Sequence, residues 1–320
     1  MRVLVTGGAG FIGSHLCERL LAEGADTAII DDLNASYSPD LKRANLECIR
    51  QAGPVRFYAC DISDSEQLSR IVATELPNVV IHLAARVGVR DSLVQPLLYE
   101  RVNVGGTLNL LEACRQHRVG RFVFASSSSV YGAGGRIPFR EDCCDPRPAS
   151  VYAATKLAAE TLCYAYSYLY GIQVVVLRLF SVYGPRQRPD LVLRKFTEMI
   201  SRGEPIPLYG DGSSARDYSF VADIVEGIMA SLGYQTDYDV FNLGSSEATQ
   251  LGCLIRMLEH KLQKPAKICR LPAQAGDVPI TCADITKARR CLNYDPRVPL
   301  GEGIDRFLEW HARLEQDEAS

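Results

Sequence analysis

Thr6-Gly7-Gly8-Ala9-Gly10-Phe11-Ile12-Gly13 follows the apolar run Val3-Leu4-Val5 and opens an amphipathic stretch over residues 14–21. That order predicts a strand, a tight turn and a helix, the arrangement that seats a pyrophosphate. Gly7 permits the tight turn, Gly10 lets the backbone approach the phosphates, and Gly13 lets helix pack on strand. The helix N-terminus meanwhile offers free N–H groups and the positive end of its dipole. About 20 residues further on, a second apolar run, Thr27-Ala28-Ile29-Ile30, ends in Asp31, where the ribose-binding acid of such a unit stands. Its carboxylate can accept both hydroxyls of an adenine ribose and would repel a 2'-phosphate, so the expected cofactor is NAD rather than NADP.

Size and charge restrict the partners. A chain of 320 residues can bury a large core as one domain or two lobes. A net charge of -3 leaves no broad basic field, which argues against nucleic acid or an anionic membrane as partner. The first strand starts at Arg2, and apolar runs such as Gln173-Val174-Val175-Val176-Leu177 are only strand length and end at Arg178. No targeting or membrane-spanning segment is therefore expected, and the expected location is cytoplasmic. The 11 cysteines are scattered, several within predicted helices (Cys17, Cys114, Cys163), which suits reduced packing residues better than a disulfide framework. Cys143 and Cys144 are adjacent but lack a second pair at zinc-site spacing, so no metal is expected.

Strand-like and helix-like stretches alternate. Strands are predicted over residues 55–59, 79–83, 121–126 and 174–180, with helices over 65–75, 99–116 and 151–170. The fold class expected is α/β: a Rossmann-type doubly wound parallel sheet with a smaller C-terminal substrate-binding lobe, ligands lying beyond the carboxyl ends of the strands. Residues 1–180 are assigned to the dinucleotide-binding part, with a returning segment near 214–245 that includes the strand-like Phe241-Asn242-Leu243-Gly244. Residues 181–213 and 246–320, where Pro and Gly punctuate short elements, are assigned to the lobe.

Three residues carry the expected chemistry. Tyr152 and Lys156 stand four apart on a predicted helix and leave it on one face. Ser127 follows the strand Phe122-Val123-Phe124-Ala125, at the edge where a nicotinamide would lie. A free tyrosine titrates near 10, but a neighbouring ammonium and a cationic nicotinamide both favour the phenolate. Tyr152 is then a base for a sugar hydroxyl, and Ser127 orients that oxygen. By itself such a Tyr/Lys pair on a tyrosine-rich helix reads as surface decoration. The dinucleotide turn and the serine-rich strand end reverse that reading.

With these residues in place the chain resembles the extended short-chain dehydrogenase/reductases, the NAD-dependent nucleotide-sugar epimerase/dehydratase group, over nearly its whole length. It is most similar there to the UDP-glucuronate 4-epimerases. The matching stretches are Asp31-Asp32-Leu33-Asn34 with Tyr37 and Leu41-Lys42-Arg43, His82-Leu83-Ala84-Ala85 with Gly88-Val89-Arg90, residues 126–132, residues 177–190, and Gly276-Asp277-Val278-Pro279. Two residues depart from the pattern: Asp32, where the family usually carries Asn, and Arg86, whose role the pattern leaves unassigned.

The resemblance implies further cofactor contacts from Phe11, Ile12, Asn34, Lys42, Asp61, Ile62, Leu83, Ala84, Ala85 and Asn103. It implies a UDP-sugar substrate held by Arg90, Ser181, Arg188, Tyr209, Arg216 and Asp277, with Arg188 and Ser181 on a uronate carboxylate, Tyr209 near the base, Arg216 on the diphosphate and Asp277 on the ribose. The implied reaction is C4 epimerisation with no net redox change through a 4-keto sugar, UDP-glucuronate to UDP-galacturonate. A UDP-glucose or UDP-N-acetylglucosamine 4-epimerase is the alternative. Ser128 and Ser129 stand where dehydratases and decarboxylases of the group carry acids, which argues against those activities. A sensor that binds the dinucleotide without chemistry would have no reason to carry Tyr152 and Lys156. A homodimer packed through residues 99–116 and 151–170 is implied as well.

Overall fold

The computed structural model describes residues 1–143, 147–272 and 278–319. The strands are β1 Arg2–Thr6, β2 Asp26–Asp31, β3 Val55–Ala59, β4 Val79–His82, β5 Arg121–Ser127, β6 Gln173–Leu179, β7 Ser181–Tyr183, β8 Pro205–Tyr209, β9 Ala215–Phe220, β10 Tyr238–Leu243, β11 Ala248–Gln250 and β12 Lys267–Leu271. The helices are α1 Phe11–Ala22, α2 Pro39–Ala52, α3 Ser65–Glu75, α4 Val89–Val94, α5 Pro96–Tyr99, α6 Gly106–Gln116, α7 Val151–Tyr170, α8 Val192–Ser201, α9 Val221–Ser231, α10 Leu251–Leu262, α11 Thr286–Leu292 and α12 Leu300–Ala319.

Seven strands form one parallel sheet in the order β10-β6-β5-β4-β1-β2-β3. Strand order reverses at β1 and β4, so the loops after those strands diverge and leave a crevice at the carboxyl edge. The sheet is buried on both faces, which is why its strands read as unbroken apolar runs. Val3, Val5, Ile29, Val79, Ile81, Val123 and Val175 pack into one core layer. Their neighbours Leu4, Ala28, Ile30, Val80, Phe122 and Val174 pack into the other. The doubly wound sheet predicted from sequence is the one found.

Beyond β6 the chain builds two small sheets, β11-β9-β7 and β12-β8. The stretch 214–245 divides between layers: β10 pairs with β6 in the main sheet, whereas β9 pairs with β7 and β11. Fully buried Asp217 on β9 ties these parts together. Its carboxylate accepts hydrogen bonds from the Ser245, Ser246 and Ala283 amides at 2.7, 3.0 and 3.0 Å and from the Ser219 and Ser245 hydroxyls.

One predicted helix is interrupted. Instead of running through 99–116, the chain makes α5, then a wide π-helical stretch at Glu100–Gly105, then α6. Such insertions are rare and often sit at functional sites. This one carries Asn103 against the Arg86 main chain and Thr155 of α7.

Candidate active site

A cavity of about 520 Å³ opens along the carboxyl edge of the main sheet. At its floor the turn after β1 needs glycine on steric grounds. Gly7 has φ +73°, and a Cβ on it would lie 2.7 Å from the Ala84 nitrogen. A Cβ on Gly13 would lie 2.2 Å from the Gly7 carbonyl oxygen, and one on Gly10 at 3.1 Å from the same atom. Gly10 caps α1 with no side-chain hydrogen bond, leaving the first-turn amides for an anion. These amides, and a turn with no room for side chains, fit a dinucleotide pyrophosphate.

At the end of β2, Asp31 is only 6% exposed. Its Oδ2 accepts from the Ala9 amide at 3.2 Å and its Oδ1 from the Leu33 amide at 2.9 Å, with Lys42 Nζ at 3.8 Å from Oδ1. Burial raises the Asp31 pKa, and Lys42 and the two amides oppose that shift. A carboxylate has about four acceptor sites, so two remain for a ribose diol.

Under the turn, His82 links β1 to α6. Thr107 Oγ1 donates to the Asn103 carbonyl at 2.6 Å, so it accepts from His82 Nε2–H at 3.0 Å. Nδ1 then accepts from Thr6 Oγ1 at 2.7 Å, and Thr6 Oγ1 in turn accepts from the Ala84 amide at 3.3 Å. Full burial pushes the imidazole down to about 3, so it stays neutral.

At the other end of the cavity α7 begins. Ser150 caps it by accepting from the Ala153 amide, and Gly171 closes it in the left-handed region. Its first turn carries Tyr152, which lines the cavity together with Ser127 at the end of β5. Ser127 Oγ accepts from the Ser129 amide and hydroxyl at 3.2 and 2.9 Å.

Burial raises the Tyr152 pKa, opposed by the neighbouring Ser127 and by the charge of Arg188. The cation whose charge bears on Tyr152 is thus Arg188, which also lines the cavity. Lys156 instead donates to the Ala125 carbonyl at 2.8 Å and lies 4.8 Å from the centroid of the Phe124 ring. Burial brings the Lys156 ammonium down to about 8, with Cys163 and Glu160 pulling it back up. One turn along α7, Glu160 pairs with Arg178 of β6 at 2.7 Å and accepts from Ser126, which braces the strand end carrying Ser127.

The third wall is the loop after β7. Helix α1 holds it, with His15 on the Pro185 carbonyl at 3.0 Å and Glu18 on Arg186 at 2.7 Å. Arg188 thereby faces the cavity, its Nε and Nη2 bound to the two oxygens of Asp190 at 2.9 and 2.6 Å. Arginine has five N–H donors, so three remain for a ligand.

Gly7, Gly10, Phe11, Ile12, Gly13, Asp31, Asn34, Lys42, Asp61, Ile62, Leu83, Ala84 and Ala85 all line this cavity, together with Ser127, Tyr152, Lys156, Ser181, Arg188 and Arg216. Arg216 also donates to the Ala215 and Pro279 carbonyls.

Three expected residues do not line it. Asn103 is buried and serves the Arg86 main chain and Thr155, because the π turn swings it behind the wall. Arg90 and Tyr209 stack on each other, guanidinium to ring centroid 4.5 Å, outside the lining. Asp277 and Cys144 lie outside the described residues. Missed as site residues are Tyr218 and Thr281, whose ordinary residue types gave no signal, Tyr37 and Gln187, which stood in matching stretches without a role assigned, and Arg86, which stood out as a departure from pattern. Among the described residues no group of three or more His, Cys, Asp or Glu could hold a metal ion, and no helix is long and apolar enough to cross a membrane.

A dinucleotide turn, an acid for its ribose and a Tyr/Ser/Lys cluster in one crevice define a nucleotide-dependent enzyme of the α/β class. Residues 3–244 match the model of the NAD dependent epimerase/dehydratase family, and the chain belongs to that family. It is 42% identical over 308 residues to a UDP-glucuronate 4-epimerase of Thermodesulfobacterium geofontis, covering 96% of this chain and 95% of that one. The UDP-glucuronic acid 4-epimerase of Bacillus cereus, solved with UDP-glucuronic acid and NAD, superposes with a TM-score of 0.92 at 35% identity, covering 98% of this chain and 100% of that one. A UDP-glucose 4-epimerase of Thermotoga maritima, solved with UDP-glucose, reaches 0.91 at 32% identity, with the same coverage.

Proposed function

We propose that the protein is an NAD-dependent UDP-sugar 4-epimerase that interconverts UDP-glucuronate and UDP-galacturonate. The observation that carries the reading is that Tyr152, Ser127 and Lys156 line the same cavity as the glycine turn and the Arg188 guanidinium. Relatives named for UDP-glucuronate support the choice of sugar.

When bound, NAD supplies reversible hydride acceptance at the sugar C4. Tyr152 moves the proton of the 4-hydroxyl, and Ser127 orients that oxygen. Lys156 would hold the nicotinamide end of the dinucleotide with its ammonium, and Arg216 would neutralise the diphosphate of the substrate. The 4-keto uronate is a β-keto acid, which loses carbon dioxide when its carboxylate turns out of an anchored plane. The donors of Arg188 not taken by Asp190, with Ser181, hold that carboxylate still. Asp277, Arg90 and Tyr209 remain assigned to the nucleotide side of the substrate.

The cofactor is held by residues 1–180 and part of 214–245, the sugar nucleotide by 181–213 and 246–320. We further assign the protein to the cytoplasm as a homodimer joined through α6 and α7, where Leu108, Tyr164, Tyr168, Leu169 and Tyr170 are exposed. A UDP-glucose 4-epimerase is the second reading, favoured by Asp190 occupying the fork of Arg188.

Incubation of the purified protein with UDP-glucuronate, UDP-glucose, UDP-N-acetylglucosamine and UDP-xylose, followed by NMR of the products, tests the reading. The expected result is UDP-galacturonate from UDP-glucuronate without added cofactor. Turnover of a neutral sugar alone would replace the uronate assignment by the second reading.

A further inference from the structure

The two departures from the family pattern meet in space. Arg86 Nη2 stands 3.7 Å from Asp32 Oδ2, and Nη1 donates to Ser36 Oγ at 2.5 Å. Both ends of this contact are fixed. Asn103 grips the Arg86 main chain, accepting from its amide at 2.7 Å and donating to its carbonyl at 3.0 Å. Asp32 Oδ1 is held by the Asn34 amide and side chain, which leaves Oδ2 toward Arg86.

Arg86 leaves the loop after β4, whereas Asp32 and Ser36 belong to the loop after β2. In the sheet β1 lies between those two strands, so the bridge spans two strand spacings, about 10 Å, across the carboxyl edge of β1. That edge is where the Gly7 to Gly13 turn and the N-terminus of α1 stand. All three bridging residues line the cavity. The pair is largely shielded, with side chains 18% and 25% exposed, and Arg86 Nε is buried without a hydrogen-bond partner. A solvated surface pair would leave no such orphan donor.

We propose that Arg86 is a cofactor-retaining residue: a strap over the glycine turn that must open before the dinucleotide leaves, and whose spare donors face the pyrophosphate from the side opposite α1. The inference rests on the cofactor being NAD and not on the identity of the sugar.

Release of NAD, measured with no sugar present, is the test. Wild type, Arg86→Met, Arg86→Lys and Ser36→Ala proteins are purified, their bound nicotinamide is counted, and release is followed by NADH fluorescence at low and high salt. Arg86→Met should release at least about 10-fold faster, the scale of one lost charge-assisted hydrogen bond, and should purify with less cofactor. Ser36→Ala and Arg86→Lys, which remove one anchor or the fork but keep the charge, should fall between. Salt should speed release from wild type and have little effect on Arg86→Met. Release at the wild-type rate from all three variants would overturn the proposal. If Arg86→Met fails to fold, the other two decide it. Because no sugar enters the assay, a wrong substrate assignment cannot imitate either outcome.

Discussion

Tyr152 and Arg188 carry separable jobs. Replacing Tyr152 by Phe removes the proton-moving hydroxyl but keeps the ring against Tyr99, 6.3 Å between centroids. Turnover should fall by about 100-fold or more while UDP-sugar binding, followed by calorimetry, survives. Changing Arg188 to a neutral residue should weaken UDP-glucuronate recognition by about 1.5–3 kcal/mol and hardly touch UDP-glucose, in kinetics on both sugars with carbon dioxide and UDP-pentose monitored. Equal losses on both sugars would mean that Arg188 serves the shared nucleotide. Tyr152, Lys156 and Ser127 were legible because spacing on a helix and position at a strand end are local properties. That the charge of Arg188 bears on the tyrosine was not legible, because Arg188 sits on a loop that His15 and Glu18 of α1 hold from far away in sequence.

Whole elements followed from periodicity where the pattern was long and two-sided. Residues 65–75 and 151–170 are helices as expected, and the apolar runs are strands of a doubly buried sheet. Residues 99–116 read as one helix because a π turn keeps the chain helical, and the break shows only in the backbone over Glu100–Gly105. Two predictions belong to this scale. Gly13→Ala places a methyl group 2.2 Å from the Gly7 oxygen, backbone against backbone. It should cost about 1–3 kcal/mol in denaturant unfolding and release the dinucleotide. His82, the pin between β1 and α6, is neutral in the folded protein down to about 3 against an ordinary 6.5. Between those values the unfolded chain binds the extra proton, so stability falls as pH falls through that window. His82→Gln should flatten the acid limb of the stability curve by up to about 1.4 kcal/mol per pH unit, measured by urea unfolding from pH 6 to 4. An unchanged slope would show that His82 already binds its proton in the folded state.

For the whole molecule, the proposed dimer makes a direct claim about α7, where Tyr168 is 79% exposed. Tyr168→Glu should convert the dimer to a monomer in sedimentation, and a wild-type monomer would end the claim. The lobe division is the part that the sequence resolves least, since β9 and β10 follow one another yet join different sheets. No single cut exists because β10 returns to β6 of the main sheet, and Asp217 fastens that return to the C-terminal part. Its carboxylate is satisfied only when β9, the turn after β10 and the stretch before α11 are all present. Excising residues 181–213 and 246–320 as a module would take the Ser246 and Ala283 amides away from the buried Asp217 carboxylate, so grafting that part onto another scaffold means carrying residues 214–245 with it.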